Sequence, residues 1–232
     1  MKDKLELLRK IPIFNRLKDP ELRQIAEIVE ERAFKKGEIM FTAGSRGDTL
    51  YLIGKGKVKI YKEMPSPVAG GGETKIFEIL SEGEFLGEMA LLNREPRCAS
   101  AMAIDDCWIY LIQKKNFNEV ILNSPEIALN ILEIISKRLR DADAHIQDIT
   151  FRNIPGRLAT LLMRFADKFG KKLPDGGELI DVRMTQQEIA QTVGTSRVYT
   201  SRYLNEFKRE GSVAMQGGKI VILDRAKLKT WM

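Results

Sequence analysis

The hydrophobic period of the chain changes three times. Over residues 5–30 apolar positions recur every three or four residues, and Leu22, Ile25, Ala26 and Val29 share one face, which predicts helix. Asp19-Pro20-Glu21 reads as an N-cap followed by a proline in the first turn. From Arg32 to Gln113 the texture becomes β-prone. The runs IMF, TLYLI, KVKIY, KIFEIL and CWIYLI are separated by glycines at 37, 44, 47, 54, 56, 83 and 87. Short strands with frequent glycine turns predict a sandwich, barrel or jelly roll. Residues 63–73 (EMPSPVAGGGE) read as a polar hairpin tip. Residues 116–153 return to a helical period, with Pro125 near the start of the long part. Ala128, Leu132, Ile135, Leu139, Ala142, Ile146 and Ile149 alternate at spacings of four and three, as in a coiled-coil seam. Such a stripe suits a parallel homodimer, and also a helix lying on its own β-domain. Residues 153–156 (NIPG) break the pattern and read as a hinge.

The last third is built differently. Residues 157–169 form an amphipathic helix, followed by the loop GKKLPDGGE and a short strand, LIDVRM. Thr185 and Glu188 make a T-x-x-E capping box that starts a helix. Ala190 and Gly194 allow a close crossing and a tight turn, and Ser196 caps a second helix to about residue 210. That is a helix-turn-helix, whose second helix enters the DNA major groove. VAMQGGKIVI adds a hairpin around Gly217-Gly218, a wing. The fold class is α+β: a β-rich domain (sandwich, barrel or jelly roll) over 1–115, a helix with a dimerisation seam and a hinge over 116–153, and a winged helix-turn-helix over 154–232.

Charge sharpens this division. Residues 151–232 carry fifteen Lys and Arg against eight Asp and Glu, a net +7. The first 150 residues carry 23 against 24, a net −1. The excess positive charge sits on the small C-terminal domain, which suits a polyanion partner. No long apolar run suggests a membrane span, and the charged N-terminus MKDKLELLRK does not resemble a signal peptide. Cys98 and Cys107 lack metal-ligand spacing and read as reduced residues, so a cytoplasmic location is expected.

The most specific chemistry lies in residues 87–100, GEMALLNREPRCAS. Gly87 lets the backbone approach a bound group. Glu88 is able to accept hydrogen bonds from a sugar hydroxyl. Arg97 offers a planar fork of donors to a phosphate. Together they describe a nucleotide monophosphate site; the alternative is a buried Glu88–Arg97 ion pair without ligand. Gly-Glu-x-Ala-Leu followed by Pro-Arg-x-Ala resembles the phosphate-binding cassette of cyclic-nucleotide-binding domains. GEIMFTAGSRGDTLYLIGKGKVKIY resembles the first half of the same roll. In order and content the whole chain resembles the catabolite-activator and fumarate-nitrate-regulator (CRP/FNR) superfamily.

That resemblance implies roles for further residues. Gly87, Glu88, Met89, Ala90, Arg97 and Cys98 would form the cassette, with Glu88 on the ribose 2′-hydroxyl and Arg97 on the cyclic phosphate. Two polar dimer-helix residues that contact adenine in relatives correspond to Ala142 and Asp143. Alanine loses that bond and aspartate accepts only, so tolerance of cGMP beside cAMP is expected. Arg197 and Arg202 match guanine-reading arginines. Val198 replaces a glutamate that accepts from cytosine; it offers contact to a thymine methyl instead, so the preferred half-site differs there. Tyr199 is bulkier than in relatives and suits a phosphate contact or packing. Thr185, Gln186 and Ser196 are backbone anchors. A homodimer reading a palindromic site is implied, with ligand re-registering the helix near residues 141–151. Lys171, Lys172 and the loop to Glu178 correspond to a surface that touches RNA polymerase.

Other functions find less support. Two cysteines do not make an iron–sulfur site. His145, the sole histidine, sits off the helix stripe and is a poor haem ligand candidate. There is no Ser/His/Asp set and no phosphate-binding G-x-x-x-x-G-K-[ST] loop, so no enzyme, metal or required cofactor is expected. The effector expected is cAMP or cGMP. The alternative is a regulator that works without nucleotide or senses redox through Cys98.

Overall fold

The computed structural model describes residues 2–64, 72–93, 95–174 and 176–232. The central part of the expected hairpin tip, together with Arg94 and Asp175, lies outside them. The chain divides into two compact units, Met1–Arg140 and Asp141–Met232, with the boundary inside one long helix.

The first unit opens with α1 (Lys2–Lys10), a 3-10 turn (Pro12–Phe14) and α2 (Asp19–Ile28), the last starting at the expected Asp19-Pro20-Glu21. Asp19 is the first helical residue rather than the cap. Glu21 closes that end by accepting the Lys18 N–H at 2.9 Å. Eight strands follow: β1 (Glu30–Phe34), β2 (Ile39–Phe41), β3 (Thr49–Lys55), β4 (Lys57–Met64), β5 (Glu73–Ser81), β6 (Phe85–Leu86), β7 (Ser100–Ala103) and β8 (Cys107–Gln113). They form two antiparallel sheets, ordered β1-β8-β3-β6 and β2-β7-β4-β5. β4 and β5 pair out to Met64 opposite Glu73, as a hairpin around the expected tip requires.

β3 and β8, the central strands of the first sheet, are buried on both faces, which explains their unbroken apolar runs. Tyr51 and Ile53 of β3, and Ile109 and Leu111 of β8, point between the sheets toward Phe34, Val58, Leu86 and Ala101. Leu50, Leu52, Tyr110 and Ile112 point the other way, into a core made with the helices. Period-2 alternation thus serves two cores at once.

Two helices close the unit. α4 (Lys114–Asn123) and α5 (Pro125–Phe151) are separated at Ser124, where the sequence suggested a single segment. Ser124 donates its hydroxyl to Glu21 at 2.6 Å, and this bond, with the Lys18 amide, holds the Glu21 carboxyl below its usual range. Ile127 and Ile131 of α5 enter the helical core, and buried Asn130 donates to the Ile13 carbonyl at 3.0 Å. The heptad stripe is a different face: Leu132 is 60% exposed, Leu139 63% and Ile146 61%.

The second unit carries α6 (Ile154–Phe169), β9 (Gly170–Lys172), β10 (Glu178–Ile180), α7 (Gln186–Val193), α8 (Arg197–Arg209), β11 (Val213–Gln216), β12 (Lys219–Ile222) and α9 (Arg225–Lys229). The strands order β11-β12-β10-β9. Of the residues NIPG, Ile154, Pro155 and Gly156 are already helical. Asn153 caps α6 by accepting the Gly156 N–H at 3.0 Å, and Pro155 occupies the first turn, where its missing N–H costs nothing. The break is confined to Arg152 and Asn153.

Candidate functional site

Two sites emerge, one in each unit. The first surrounds Arg97. Gly87 follows β6 with φ +92°, and a Cβ there would lie 2.3 Å from Arg97 Nη1. The cassette then forms α3 (Glu88–Asn93), a helix of six residues. The Arg97 main chain is pinned on both sides, with its N–H donating to the Ser45 carbonyl at 2.8 Å and its carbonyl accepting from Gly44 at 2.7 Å. Its side chain is only 5% exposed. Nη1 donates to the Gly87 carbonyl at 2.8 Å and Nη2 to the Thr49 carbonyl at 2.6 Å. The guanidinium lies over the Phe41 ring at 4.3 Å and near Tyr51 at 5.5 Å. Burial pushes its pKa below the usual arginine value, yet a guanidinium remains a cation.

Nε–H of Arg97 is buried and has no acceptor among the described residues. A buried cation with an idle donor is costly until an acceptor arrives. The cage therefore suits an oxyanion. Gly47 is part of it: a Cβ there would meet Ala90 Cβ at 2.2 Å and Arg97 Nε at 3.0 Å. The sequence marked Gly47 only as a turn glycine; the signal available was its place in SRGDTLY.

Glu88 is also buried, at 3% exposure. Among the described residues its ion-pair partner is Arg138 of α5, Nη1 to Oε1 2.5 Å, and not Arg97. Arg138 Nη2 donates to the Phe85 carbonyl at 2.8 Å, and its guanidinium lies 5.0 Å from the Phe85 ring. Arg138 was missed in sequence because polar positions beside an apolar stripe read as solvated. Ala90 is buried, while Met89 and Cys98 are exposed, with their sulfurs 3.7 Å apart. Cys107 is a buried thiol pushed up by that burial. Ala142 and Asp143 are exposed positions of α5 within the second unit.

The second site is the helix-turn-helix. Thr185 caps α7: its hydroxyl accepts the Glu188 N–H at 3.1 Å, and Glu188 accepts the Thr185 N–H at 3.0 Å. Gly194 takes φ +79°, as the turn requires. Ser196 caps α8 by accepting the Tyr199 N–H at 3.3 Å. Thr200, Leu204 and Phe207 bury one face of α8. Arg197, Val198 and Tyr199 are exposed in its first turn. Arg202 is exposed one turn on and rests on Glu206 at 3.2 Å. Gln186 begins α7 and is half-buried.

The wing is braced from below. Arg183 Nη2 donates to the Gly217 carbonyl at 3.0 Å. Asp181 takes Lys171 at 2.5 Å and also Lys219. Lys172 pairs with Glu178 at 3.4 Å, so both lysines of the expected polymerase surface are engaged by acids. Lys171 and then Lys219 hold the Asp181 carboxyl down to about 2. A depressed carboxylate stabilises the fold fully above its unfolded pKa, near pH 4, and loses that contribution as pH falls through about 2. Asp181→Asn is expected to cost about 2 kcal/mol at pH 7. The gap between the thermal midpoints of the two proteins should close as pH is lowered toward 2; a gap independent of pH would refute the assignment.

A roll with a caged, anion-ready arginine and a basic winged helix-turn-helix define a class: DNA-binding regulators that carry a ligand sensor. Comparison with known proteins agrees. The cyclic nucleotide-binding domain profile matches residues 31–124, and the Crp-like helix-turn-helix domain profile matches residues 156–231. The CRP-like cAMP-activated global transcriptional regulator of Mycobacterium tuberculosis is 30% identical over 224 residues, covering 96% of this chain and 97% of its own. The cyclic AMP receptor protein of Thermus thermophilus is 30% identical over 219 residues, 94% of this chain and 95% of its own. Among solved structures, the catabolite activator protein of Thermus thermophilus superposes with a TM-score of 0.53 at 28% identity, covering 94% and 96%. A CooA mutant from Carboxydothermus hydrogenoformans shares the fold, with a TM-score of 0.74 at 23% identity over 97% and 94%. The chain belongs to the CRP/FNR superfamily of transcription regulators, a family of DNA-binding proteins and not of enzymes.

Proposed function

We propose that this regulator is a homodimer switched by a cyclic nucleotide, cAMP or cGMP, held in the first unit by Gly87, Glu88, Met89, Ala90, Arg97 and Cys98. The observation that carries the reading is the buried Arg97 with its idle Nε–H. Two of its donors are spent on carbonyls that fix the plane of the fork, and the remainder suit a phosphate. Relatives named as cAMP-activated or as a cyclic AMP receptor support the same ligand class. Ala142 and Asp143 replace the polar pair that the family uses for the base, which favours tolerance of cGMP. The exposed stripe Leu132, Leu139, Ile146 supports a parallel dimer. The effector acts by shifting a population toward the DNA-binding form.

The dimer reads a palindromic duplex, with Arg197, Val198, Tyr199 and Arg202 on bases and Thr185, Gln186 and Ser196 on the backbone. RNA polymerase is a further partner, through the region of Lys171 and Lys172, and the site of action is the cytoplasm. No helix among the described residues is long and apolar enough to cross a membrane. The test is DNA binding by fluorescence anisotropy with cAMP, cGMP, 5′-AMP or no nucleotide. A gain in affinity with one cyclic nucleotide and none with 5′-AMP supports the reading. Equal binding in all four overturns the effector and leaves a constitutive DNA-binding regulator.

Within the DNA half, Arg202→Ala and Gln186→Ala should separate. A bidentate arginine–guanine contact contributes on the order of 1–3 kcal/mol of discrimination, so the first variant relaxes preference at one base pair. The second weakens all sequences evenly. Selection from a random duplex pool gives the readout, and unchanged preference in Arg202→Ala would reject its base-reading role.

A further inference from the structure

We propose that Arg157 is a backbone-phosphate anchor, seated beside the turn of the helix-turn-helix. Arg157 lies in the first turn of α6, its N–H donating to the Asn153 carbonyl at 3.0 Å. Its side chain reaches the turn between α7 and α8, where Nη2 meets the Gly194 carbonyl at 3.4 Å, the long end of the hydrogen-bond range. Its Nε–H is buried and has no acceptor among the described residues. Several other cations of this unit are paired with acids. Arg152 holds Asp148, Lys171 and Lys219 share Asp181, and Arg225 spans Asp167 and Glu178. Arg157 has one long bond to a neutral carbonyl.

A half-buried guanidinium in that condition lacks an anion. The surface beside it is the exposed run Gly194, Ser196, Arg197 and Val198. Ser196 takes the Tyr199 N–H, and the N–H groups of Arg197 and Val198, at the start of α8, have no intrahelical acceptor. The Gly194 carbonyl that Arg157 touches stands two residues before Ser196, the cap of α8, so the guanidinium and these amides belong to the same turn. For a protein that lays α8 in the major groove, the oxyanion on offer is a phosphodiester of the flanking strand. Arg157 is then a positioning residue: it carries no sequence information and fixes the depth and register of α8.

The experiment uses the full-length protein, wild type, Arg157→Gln and Arg157→Lys, on a selected operator and on an unrelated duplex. Arg157→Gln is expected to weaken binding about tenfold on both duplexes. Its slope of log affinity against log salt should fall by about one per half-site. Arg157→Lys should keep most of the slope. Single methylphosphonate substitutions, scanned through the half-site, add an arm that uses the wild-type protein: one neutralised linkage should weaken wild type and leave Arg157→Gln unaffected. An unchanged salt slope, or methylphosphonate losses that add to Arg157→Gln at every linkage, overturns the proposal. Inorganic phosphate without DNA separates the sources. If millimolar phosphate raises the thermal midpoint of wild type alone while the salt slopes on DNA are equal, the site serves a free anion, and the DNA anchor is likewise overturned.

Discussion

Arg97→Ala is expected to abolish stabilisation of the protein by cyclic nucleotide. A ligand at about 100 times its dissociation constant adds about 2.7 kcal/mol to the folded state. For wild type this appears as a raised thermal midpoint with cAMP or cGMP and none with 5′-AMP. Alanine removes the one buried cation of the cage and with it the charge that offsets the cost of desolvating a phosphate. It also leaves the Thr49 and Gly87 carbonyls without their donor, so the ligand-free variant should melt below wild type. The two effects separate because the ligand increment is measured against each protein's own baseline. Arg97→Lys is the sharper control. It keeps the charge, but an ammonium on a flexible stem cannot hold two carbonyls and a phosphate in one plane. A variant Arg97→Ala that still shifted as wild type does would remove phosphate recognition from this residue.

Leu139→Asp combined with Ile146→Asp is expected to convert the proposed dimer to monomers. These side chains are 63% and 61% exposed in the single chain, and they belong to a face distinct from the one that Ile127 and Ile131 bury. Burying one such side chain is worth about 1.5–3 kcal/mol, and twofold symmetry counts each position twice. Two substitutions therefore remove several kcal/mol, and the charges facing each other across the seam add repulsion. The dimer constant should weaken by at least about 10³. Sedimentation velocity would show it directly, and affinity for a palindromic duplex should fall in parallel as two linked half-sites become two independent ones. Each unit's own melting should change little, since neither residue is in its core. If the double variant sedimented as wild type at the same concentration, the seam lies elsewhere.

Much of this architecture was legible in the sequence, and the failures share a physical cause. The apolar runs of β3 and β8, the T-x-x-E box at Thr185 and the Gly-Gly wing announced themselves because each couples a local preference to a strong periodicity. β1 did not, since EERAF buries only Phe34 and the strand exists by pairing with β8. β7 did not, since its buried positions, Ser100, Ala101 and Ala103, are small residues that fit a tight interior rather than advertise one. The cassette was found as a string, but its wiring was not. Arg138 lies fifty residues from Glu88, and no spacing rule joins them. The stripe on α5 was legible as apolar, but which of two apolar faces entered the core was a tertiary matter, decided by Ile127, Asn130 and Ile131.

The attachment of Arg97 also ties the cassette to both sides of its surroundings. One Nη is tied to Thr49, the first residue of β3, and β3 is wedged between two cores. The other is tied to Gly87, on the far side, where the chain turns into a helix of six residues. Glu88, the first residue of α3, is paired in turn with Arg138, so Thr49, Arg97, Gly87, Glu88 and Arg138 join β3 to α5 through the cassette in one unbroken run of contacts.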